Sequence, residues 1–459
     1  MNVVVLALAA LALLAPAHAA SAPAQTASAP QPPVGHVFTI VLENKDYART
    51  FGKDTEAPYL ARTLAGRGAL LPNYFATGHL SLDNYLTMIS GQAPNALTQA
   101  DCPVFTNVTP GLSGPEGQAL GAGCVHPARV KTVADQLEAA GKTWRGYMED
   151  MGNDPGREAR TCGHPAIGAR DTTQGATAKD QYATRHDPFV YFHSILDDRR
   201  RCDAGVVNLD ELPADLADAS RTPSYSFITP DLCSDGHDAT CADARQPGGY
   251  AGIEAFLKTW VPRITSSPAF KKDGLLLITF DEGEADSGAC CAEPAGPNTA
   301  RPGIRGPGGG RVGAVALSPF VKPGTVVATP IDHYGYLRSV EDLFGLDHLG
   351  YAARDGLATF QSMGALRTTR VGAGRAVKSF EVPRRITGRR LVVRVRLALG
   401  VAGRITVRRA GAFVAGATIR GSRRKRFDVG ARRGRYVVTL RATRDGMTVA
   451  RRSRVSRRR

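Results

Sequence analysis

Ser81 lies at the start of TGHLSLDNYLTMISGQAP (77–94), where Leu82, Leu86 and Ile89 recur at i, i+4 and i+7. Gly91 ends that run and Pro94 forbids its continuation, so the spacing predicts a short helix with Ser81 in its first turn. Free amide N–H groups and the positive end of the dipole favour an anion at such a terminus, which suits a hydroxyl that attacks phosphate. His79, from the preceding loop, adds a donor. The same placement also describes a simple helix cap, so Ser81 gains meaning only from its company.

Four further segments put ligand-type residues just past an apolar run. HVFTIVLEN places Glu43 and Asn44 there, a carboxylate and an amide oxygen suited to a hard divalent cation. SYSFITPDLCSDGHD supplies Asp231, Asp235, His237 and Asp238, with Asp and His two residues apart in a Gly-containing loop. GLLLITFDEGEAD ends in Asp281 and Glu282, paired carboxylates that are costly beside a buried strand unless a cation or donors offset them. TPIDHYGYLRSVEDLFGLDHLG predicts a helix over 332–344, with Tyr336, Val340, Leu343 and Phe344 on one face, Asp332 as its cap and His333 in its first turn. Glu149 and Asp150 follow a further strand in TWRGYMED, as support or as solvated groups. GGGRVG (308–313) lacks the Gly-Lys-Ser/Thr of a phosphate-binding loop and reads as a flexible entry to the strand VGAVALSP.

The elements that must position these groups alternate. Strand-like runs (VFTIVL, TWRGYM, SYSFIT, LLLITF, VGAVALSP) are separated by helical patterns near 58–66, after Ser81, in VADQLEAAGK, over 252–260 and over 332–344. Alternation of this kind predicts an α/β domain over 36–366, a mostly parallel sheet covered by helices on both faces. Ligands in such sheets collect outside the carboxyl ends of the strands, where all four segments end. After Gly374 the texture changes to short alternating segments with Gly-containing turns, which predicts a small β-sandwich over 374–450 followed by a frayed basic end at 451–459.

Composition sets the context. An apolar run over 3–14 and the small residues Ala17 and Ala19 read as a secretory signal peptide over 1–19, and the Pro/Ala/Ser-rich 20–35 as a disordered lead-in. No other run approaches the ~20 apolar residues of a membrane span. Eight cysteines fit an oxidising compartment, hence a secreted or cell-surface protein; no CxxC pair suggests zinc, and Cys233 with Cys241 is the one bridge the spacing favours. From residue 361 onward, 29 Lys and Arg face 3 Asp and Glu, a net of +26, whereas the rest of the chain carries 29 against 39, a net of −10. An acidic body therefore bears a basic tail able to meet an anionic wall polymer, a membrane surface or nucleic acid.

In order, LEN with a following FG, GHLSLDNYLTMISGQAP, TWRGYMED, RHDPFVYF, TPDLCSDGHD, ITFDEGE, GGGRVGAVALSPFVKPGT and HYGYLRSVEDLFGLDHLG resemble the phosphoesterase family of secreted acid phosphatases. That family includes phosphoinositide phosphatases, is related to phospholipase C type enzymes, and belongs to the alkaline phosphatase superfamily. The resemblance spans 36–352 and implies an alkaline phosphatase-like fold and a metal-dependent phosphomonoesterase, with Ser81 as nucleophile and a phosphoserine intermediate. It implies that Glu43, Asn44, Asp281 and Glu282 hold one divalent ion that also contacts Ser81. Asp235, His237 and His333 would form a second metal site or bind phosphate, and His79, Asn84 and His186 would contact the substrate. The chain departs from the family at Leu80 and Asp83, where Pro is common, and at Asp231, where Asn is. Two other readings stand beside it: a phospholipase C type phosphodiesterase, and a polyanion-binding protein on an inert phosphatase fold. Neither the oligomeric state nor the identity of the metal is readable.

Overall fold

A computed structural model describes residues 32–244, 247–368, 377–386, 388–398, 401–430, 433–444 and 447–457. The signal segment and the lead-in up to residue 31 lie outside the described residues. Residues 32–35, expected to be part of a disordered lead-in, are packed: Val34 is buried, and Gly35 N–H donates to the Asp273 carbonyl.

Eight strands make the central sheet: β1 (His36–Leu42), β2 (Ala69–Leu71), β3 (Trp144–Met148), β4 (Val206–Asn208), β5 (Tyr225–Thr229), β6 (Gly274–Phe280), β7 (Ala314–Leu317) and β8 (Thr325–Val326). Their order is β8-β2-β7-β6-β1-β5-β3-β4, and only β7 runs against the others. Every residue of β1 and of β6 is buried, which explains why HVFTIVL and GLLLITF are continuous apolar runs rather than alternating ones. The two strands pair from His36 opposite Gly274 to Leu42 opposite Phe280. That register sets Glu43 beside Asp281 as both strands end, and β5 on the other side of β1 delivers the 231–238 loop to the same edge.

The predicted helices form as α1 (Ser81–Ser90), α2 (Val133–Ala139), α3 (Gly249–Ser266) and α4 (His333–Phe344). Every residue of α1 is buried and the helix ends at Gly91 in the left-handed region (φ 68°), which a non-glycine residue adopts only with strain. Asp332 caps α4 as expected, its carboxylate accepting from Gly335 N–H at 2.8 Å. Helices α1 and α4 pack against each other. Among the described residues no helix is long and apolar enough to cross a membrane.

The basic region folds as two antiparallel sheets. One is β9 (Val377–Glu381), β10 (Arg390–Leu397) and β13 (Ser422–Asp428); the other is β12 (Ala412–Arg420), β11 (Ala402–Arg409), β14 (Gly434–Arg444) and β15 (Met447–Arg457). Leu391, Val393, Ile405, Val407, Val438 and Leu440 share one apolar core, so the sheets form a sandwich. Within the end expected to fray, residues 451–457 belong to β15 and pair with β14, the edge strand satisfying the backbone of its neighbour, and 458–459 lie outside the described residues.

Cysteine pairs are Cys102–Cys124, Cys162–Cys202, Cys233–Cys241 and the adjacent Cys290–Cys291. The 233–241 bridge was the one the spacing favoured; the others join segments distant in sequence or direct neighbours.

Candidate active site

Three neighbouring strand ends and one helix start converge. Glu43 follows β1, Asp281 and Glu282 follow β6, Asp235 lies in the loop after β5, and Ser81 opens α1. Backbone bonds stitch the strand ends together: Glu43 N–H to the Asp235 carbonyl (2.9 Å), Asp281 N–H to that of Leu42 (2.9 Å) and Lys45 N–H to that of Glu282 (3.1 Å). Asn44 adopts a left-handed conformation (φ 54°), tolerable for an Asn, which aims its N–H at Asp281 Oδ1 (3.0 Å).

Glu43 is the hub. Its Oε2 accepts from Ser81 Oγ at 2.9 Å and from Asn44 Nδ2 at 2.9 Å, while its Oε1 accepts from the Tyr85 hydroxyl at 2.7 Å. His186 lies between Glu43 and Asp235, with Nε2 3.3 Å from Glu43 Oε1 and Nδ1 3.2 Å from Asp235 Oδ2. Neither ring nitrogen meets hydrogen-bond geometry in these contacts. Glu43, His186 and Asp235 form a compact set able to hold one metal ion, their ligand atoms within 4.8 Å of one another. Asp281 Oδ2 has no hydrogen-bond partner, and Ser81 and Glu43 stand close enough to ease ionisation of its carboxyl.

The electrostatics follow from burial. Desolvation, then the charges of Asp281 and Asp235, push the Glu43 carboxyl well above its ordinary range. Burial likewise raises Asp235, Asp281 and Glu282, the last also through Asp281. His186 is driven well below its ordinary value, first by burial and then by the Arg185 cation, so its imidazole is neutral and can act as a ligand. Its short approaches to two carboxylates are therefore not ion pairs. So many buried carboxyls with so few cations are poorly tolerated without an added positive charge.

Not every expected residue joins the cluster. His333 is fully buried, but its Nδ1 faces the Tyr74 hydroxyl at 3.0 Å and its Nε2 the Asp281 carbonyl at 2.7 Å. With both nitrogens spent and its basicity lowered by burial to about 4, it pins α4 to the end of β6 instead of offering a ligand. His237 also misses the cluster: only its backbone N–H reaches Asp235 Oδ1 (2.7 Å), and its partly exposed ring bonds Asp238 and Arg185 at the rim. Asn84, expected at the substrate, uses its carboxamide on the loop before α1. Its Oδ1 accepts from Thr77 and Gly78 N–H, and its Nδ2 donates to the Gly78 and Leu80 carbonyls. His79 pairs with Glu282 through Nδ1, and its Nε2 meets the Asp286 carbonyl (3.1 Å).

The open helix terminus is also corrected. Leu82 N–H donates to Asp101 Oδ1 at 3.0 Å, so a carboxylate already caps α1. Gly308–Gly313 is not a flexible entry: Ala76 and Gly309–Gly310 exchange backbone bonds, and a Cβ on Gly309 would lie 2.1 Å from the Gly78 carbonyl. The glycines let this loop press against the segment leading to Ser81. Glu149 holds Asp231 N–H at 3.0 Å, a supporting contact.

Four residues escaped the sequence reading. Tyr85 sits one helical turn after Ser81 on the same face, a signal that was available. Arg185, directly before His186, is a buried guanidinium that reaches His237 Nε2 (3.2 Å) and Asp101 (3.7 Å). Lys45 donates to the carbonyls of Glu43, Asn44 and Gly236, locking two ligand-bearing loops together. Asp101 carried no local signal.

The chain belongs to the Phosphoesterase family, whose model matches residues 53–347. It is similar to a probable acid phosphatase of Kluyveromyces lactis, 26% identical over 316 residues, which cover 68% of this chain and 59% of that protein. It is also similar to a phosphate-repressible acid phosphatase of Penicillium chrysogenum (29% over 224 residues; 49% of this chain, 43% of that one). A phosphatidylinositol-3-phosphatase of Mycobacterium tuberculosis is 25% identical over 321 residues, 70% of this chain and 80% of that one. The chain thus spans only 59% and 43% of the two fungal relatives. A solved protein in the alkaline phosphatase superfamily from Vibrio parahaemolyticus superposes with a TM-score of 0.40 at 10% identity, over 81% of this chain and 78% of that one.

Proposed function

We propose that the protein is a secreted phosphoric monoester hydrolase of the acid phosphatase type, with Ser81 as nucleophile and one or two divalent cations as cofactor. The observation that carries this reading is the 2.9 Å contact of Ser81 Oγ with Glu43 inside a buried carboxylate cluster. The donor set fits a hard cation: Glu43, Asn44, Asp281 and Glu282 offer oxygen, His186 offers a neutral nitrogen, and Asp281 Oδ2 and Asp235 Oδ2 have no hydrogen-bond donor. When bound, the cation supplies Lewis-acid stabilisation of the attacking oxygen and of the phosphoryl charge.

Ser81 Oγ attacks phosphorus in line, the Oγ–P bond forms, and the bond from phosphorus to the leaving oxygen breaks, that oxygen taking a proton from solvent to leave as the alcohol. The hydroxyl proton passes to Glu43 Oε2, which already accepts it in the 2.9 Å hydrogen bond from Ser81 Oγ. Water then attacks the phosphoserine, a new P–O bond forms as the Oγ–P bond breaks, the water gives one proton to solvent, and Glu43 returns its proton to Ser81. Arg185 offers a buried, fixed positive charge for equatorial phosphoryl oxygens, a task the capped helix terminus does not perform. The four disulfides accord with export. The names of the relatives make phosphoinositides the first natural substrates to try.

The test is phosphate release from nitrophenyl phosphate, its bis ester and phosphatidylinositol phosphates, before and after chelation. Monoester turnover that chelation removes and a divalent ion restores supports the proposal. A preference for the bis ester or for phosphatidylcholine moves the protein to the phospholipase C type.

A further inference from the structure

The outer face of the four-stranded sheet in the basic sandwich is rich in arginine and threonine. Alternation along the strands sends Ile405, Val407, Tyr436, Val438 and Leu440 into the core and their neighbours outward. Register then assembles the outward residues: Arg404 lies across from Arg441 and Thr418, Thr439 from Arg452, Val437 from Arg454, and Ala402 from Arg420. Arg404, Arg408, Arg420, Arg441, Arg452 and Arg454 are all exposed. None of the four strands contains an Asp or Glu. At ~4.8 Å between strands and ~6.8 Å between alternate residues, Arg404 and Arg441 are direct neighbours, as are Arg452 and Arg454, and the other arginines are spread over the same face. Phe413, paired with Arg408, stands 58% exposed at the hairpin end of this face.

We propose that this face docks the protein on an anionic phospholipid surface. These arginines are spread across all four strands of one face instead of along one line, so they complement a plane of negative charge better than a groove or a single strand. Reading a duplex needs a helix or a two-stranded ribbon that enters the major groove, which the face of a four-stranded sheet does not. Gripping a single-stranded nucleic acid needs a succession of aromatic platforms, whereas Tyr436 is buried and, among the described residues, Phe413 is the one exposed aromatic on this face. One exposed aromatic beside a row of arginines is instead the pattern of interfacial anchoring, a shallow apolar insertion flanked by headgroup contacts.

The full chain is to be sedimented with vesicles of phosphatidylcholine alone and with vesicles of phosphatidylcholine and phosphatidylglycerol at roughly three to one. Binding is expected only to the anionic vesicles, weakening steeply as salt rises. The triple variant Arg404→Glu, Arg441→Glu, Arg452→Glu is expected to lose at least about tenfold in vesicle affinity. Its turnover of soluble nitrophenyl phosphate is expected to stay unchanged. Should that variant fail to fold, Arg404→Gln, Arg441→Gln, Arg452→Gln is expected to move binding in the same direction by less. Equal binding to neutral vesicles overturns the proposal, as does undiminished binding by the folded triple variant. Retention on duplex DNA without retention on anionic vesicles also overturns it and gives the face to nucleic acid.

Discussion

Tyr85 and His186 stack nearly parallel, ring centroids 5.2 Å apart and planes 12° from each other, while both address Glu43 Oε1. The tyrosine donates a 2.7 Å hydrogen bond, and the neutral imidazole brings a nitrogen to 3.3 Å. Helix α1 thus supplies both the proposed nucleophile and, one turn on, the group that orients the carboxylate beside it. Tyr85→Phe keeps the stack and removes only the hydroxyl. A hydrogen bond to a charged group contributes about 1.5–3 kcal/mol, so turnover should fall roughly tenfold or more and the melting temperature should fall with it. Wild-type kinetics in the folded variant would show that the bond does not position Glu43.

Removal of divalent cations should destabilise the protein, and more so at higher pH. Burial and mutual repulsion raise the carboxyl groups of Glu43, Asp235 and Glu282, so without a cation the native state holds protons that the unfolded chain has released. Stability then falls as pH rises from the unfolded carboxylate range at about 4 through the raised native values. Thermal melts with chelator and with added divalent ion should therefore diverge increasingly as pH rises above the unfolded carboxylate range at about 4. Melting curves that chelation leaves unmoved as pH rises would argue against a bound cation.

A separate part of the pH slope belongs to Asp187, next to His186. Burial pushes its carboxyl up to about 8, although Phe189 N–H and the Tyr182 hydroxyl donate to it. Between about pH 4 and that value the native state binds the extra proton, so this residue's contribution falls as pH rises. Asp187→Asn should flatten the loss of stability toward pH 8, read by melts in chelator. An unchanged slope would mean that the native carboxyl is already ionised at neutral pH.

Asn84 and Ser81 should fail differently. Asn84→Ala leaves the Thr77 and Gly78 N–H groups without their acceptor, at a cost of about 1–3 kcal/mol for each buried group left unpaired. Its loss of activity should come with a clear drop in melting temperature. Ser81→Ala should abolish turnover while folding is kept. An Asn84→Ala enzyme of native stability with only a raised KM would restore the substrate-contact role.

His333→Phe should act on stability and leave affinity for added metal unchanged, because both ring nitrogens serve the Tyr74 hydroxyl and the Asp281 carbonyl. Isothermal titration of chelator-treated protein with a divalent ion checks this. A tenfold loss of metal affinity in a variant of intact fold would place His333 back among the ligands.

These contrasts mark where sequence is informative. The buried strands were legible because β1 and β6 are covered on both faces, and acidic residues directly after such runs, Glu43, Asp281 and Glu282, do meet at one sheet edge. Short edge strands such as β4 and β8 carry too few residues to show a period. His333 and Asn84 have the right residue types at plausible positions, and only tertiary packing reveals that their polar atoms are already satisfied. Asp101 and Lys45 work through backbone groups brought close by folding, which no local pattern records. The arginine face was visible as charge, but which arginines share a side follows from strand register.

The most direct test is acid quenching of the enzyme with a phosphate monoester during turnover, followed by mass spectrometry of its peptides. One phosphoryl group is expected on the peptide containing Ser81, absent from Ser81→Ala and from chelated protein. A phosphoryl group on another residue, or undiminished turnover by Ser81→Ala, would contradict the assignment of this hydroxyl as the nucleophile.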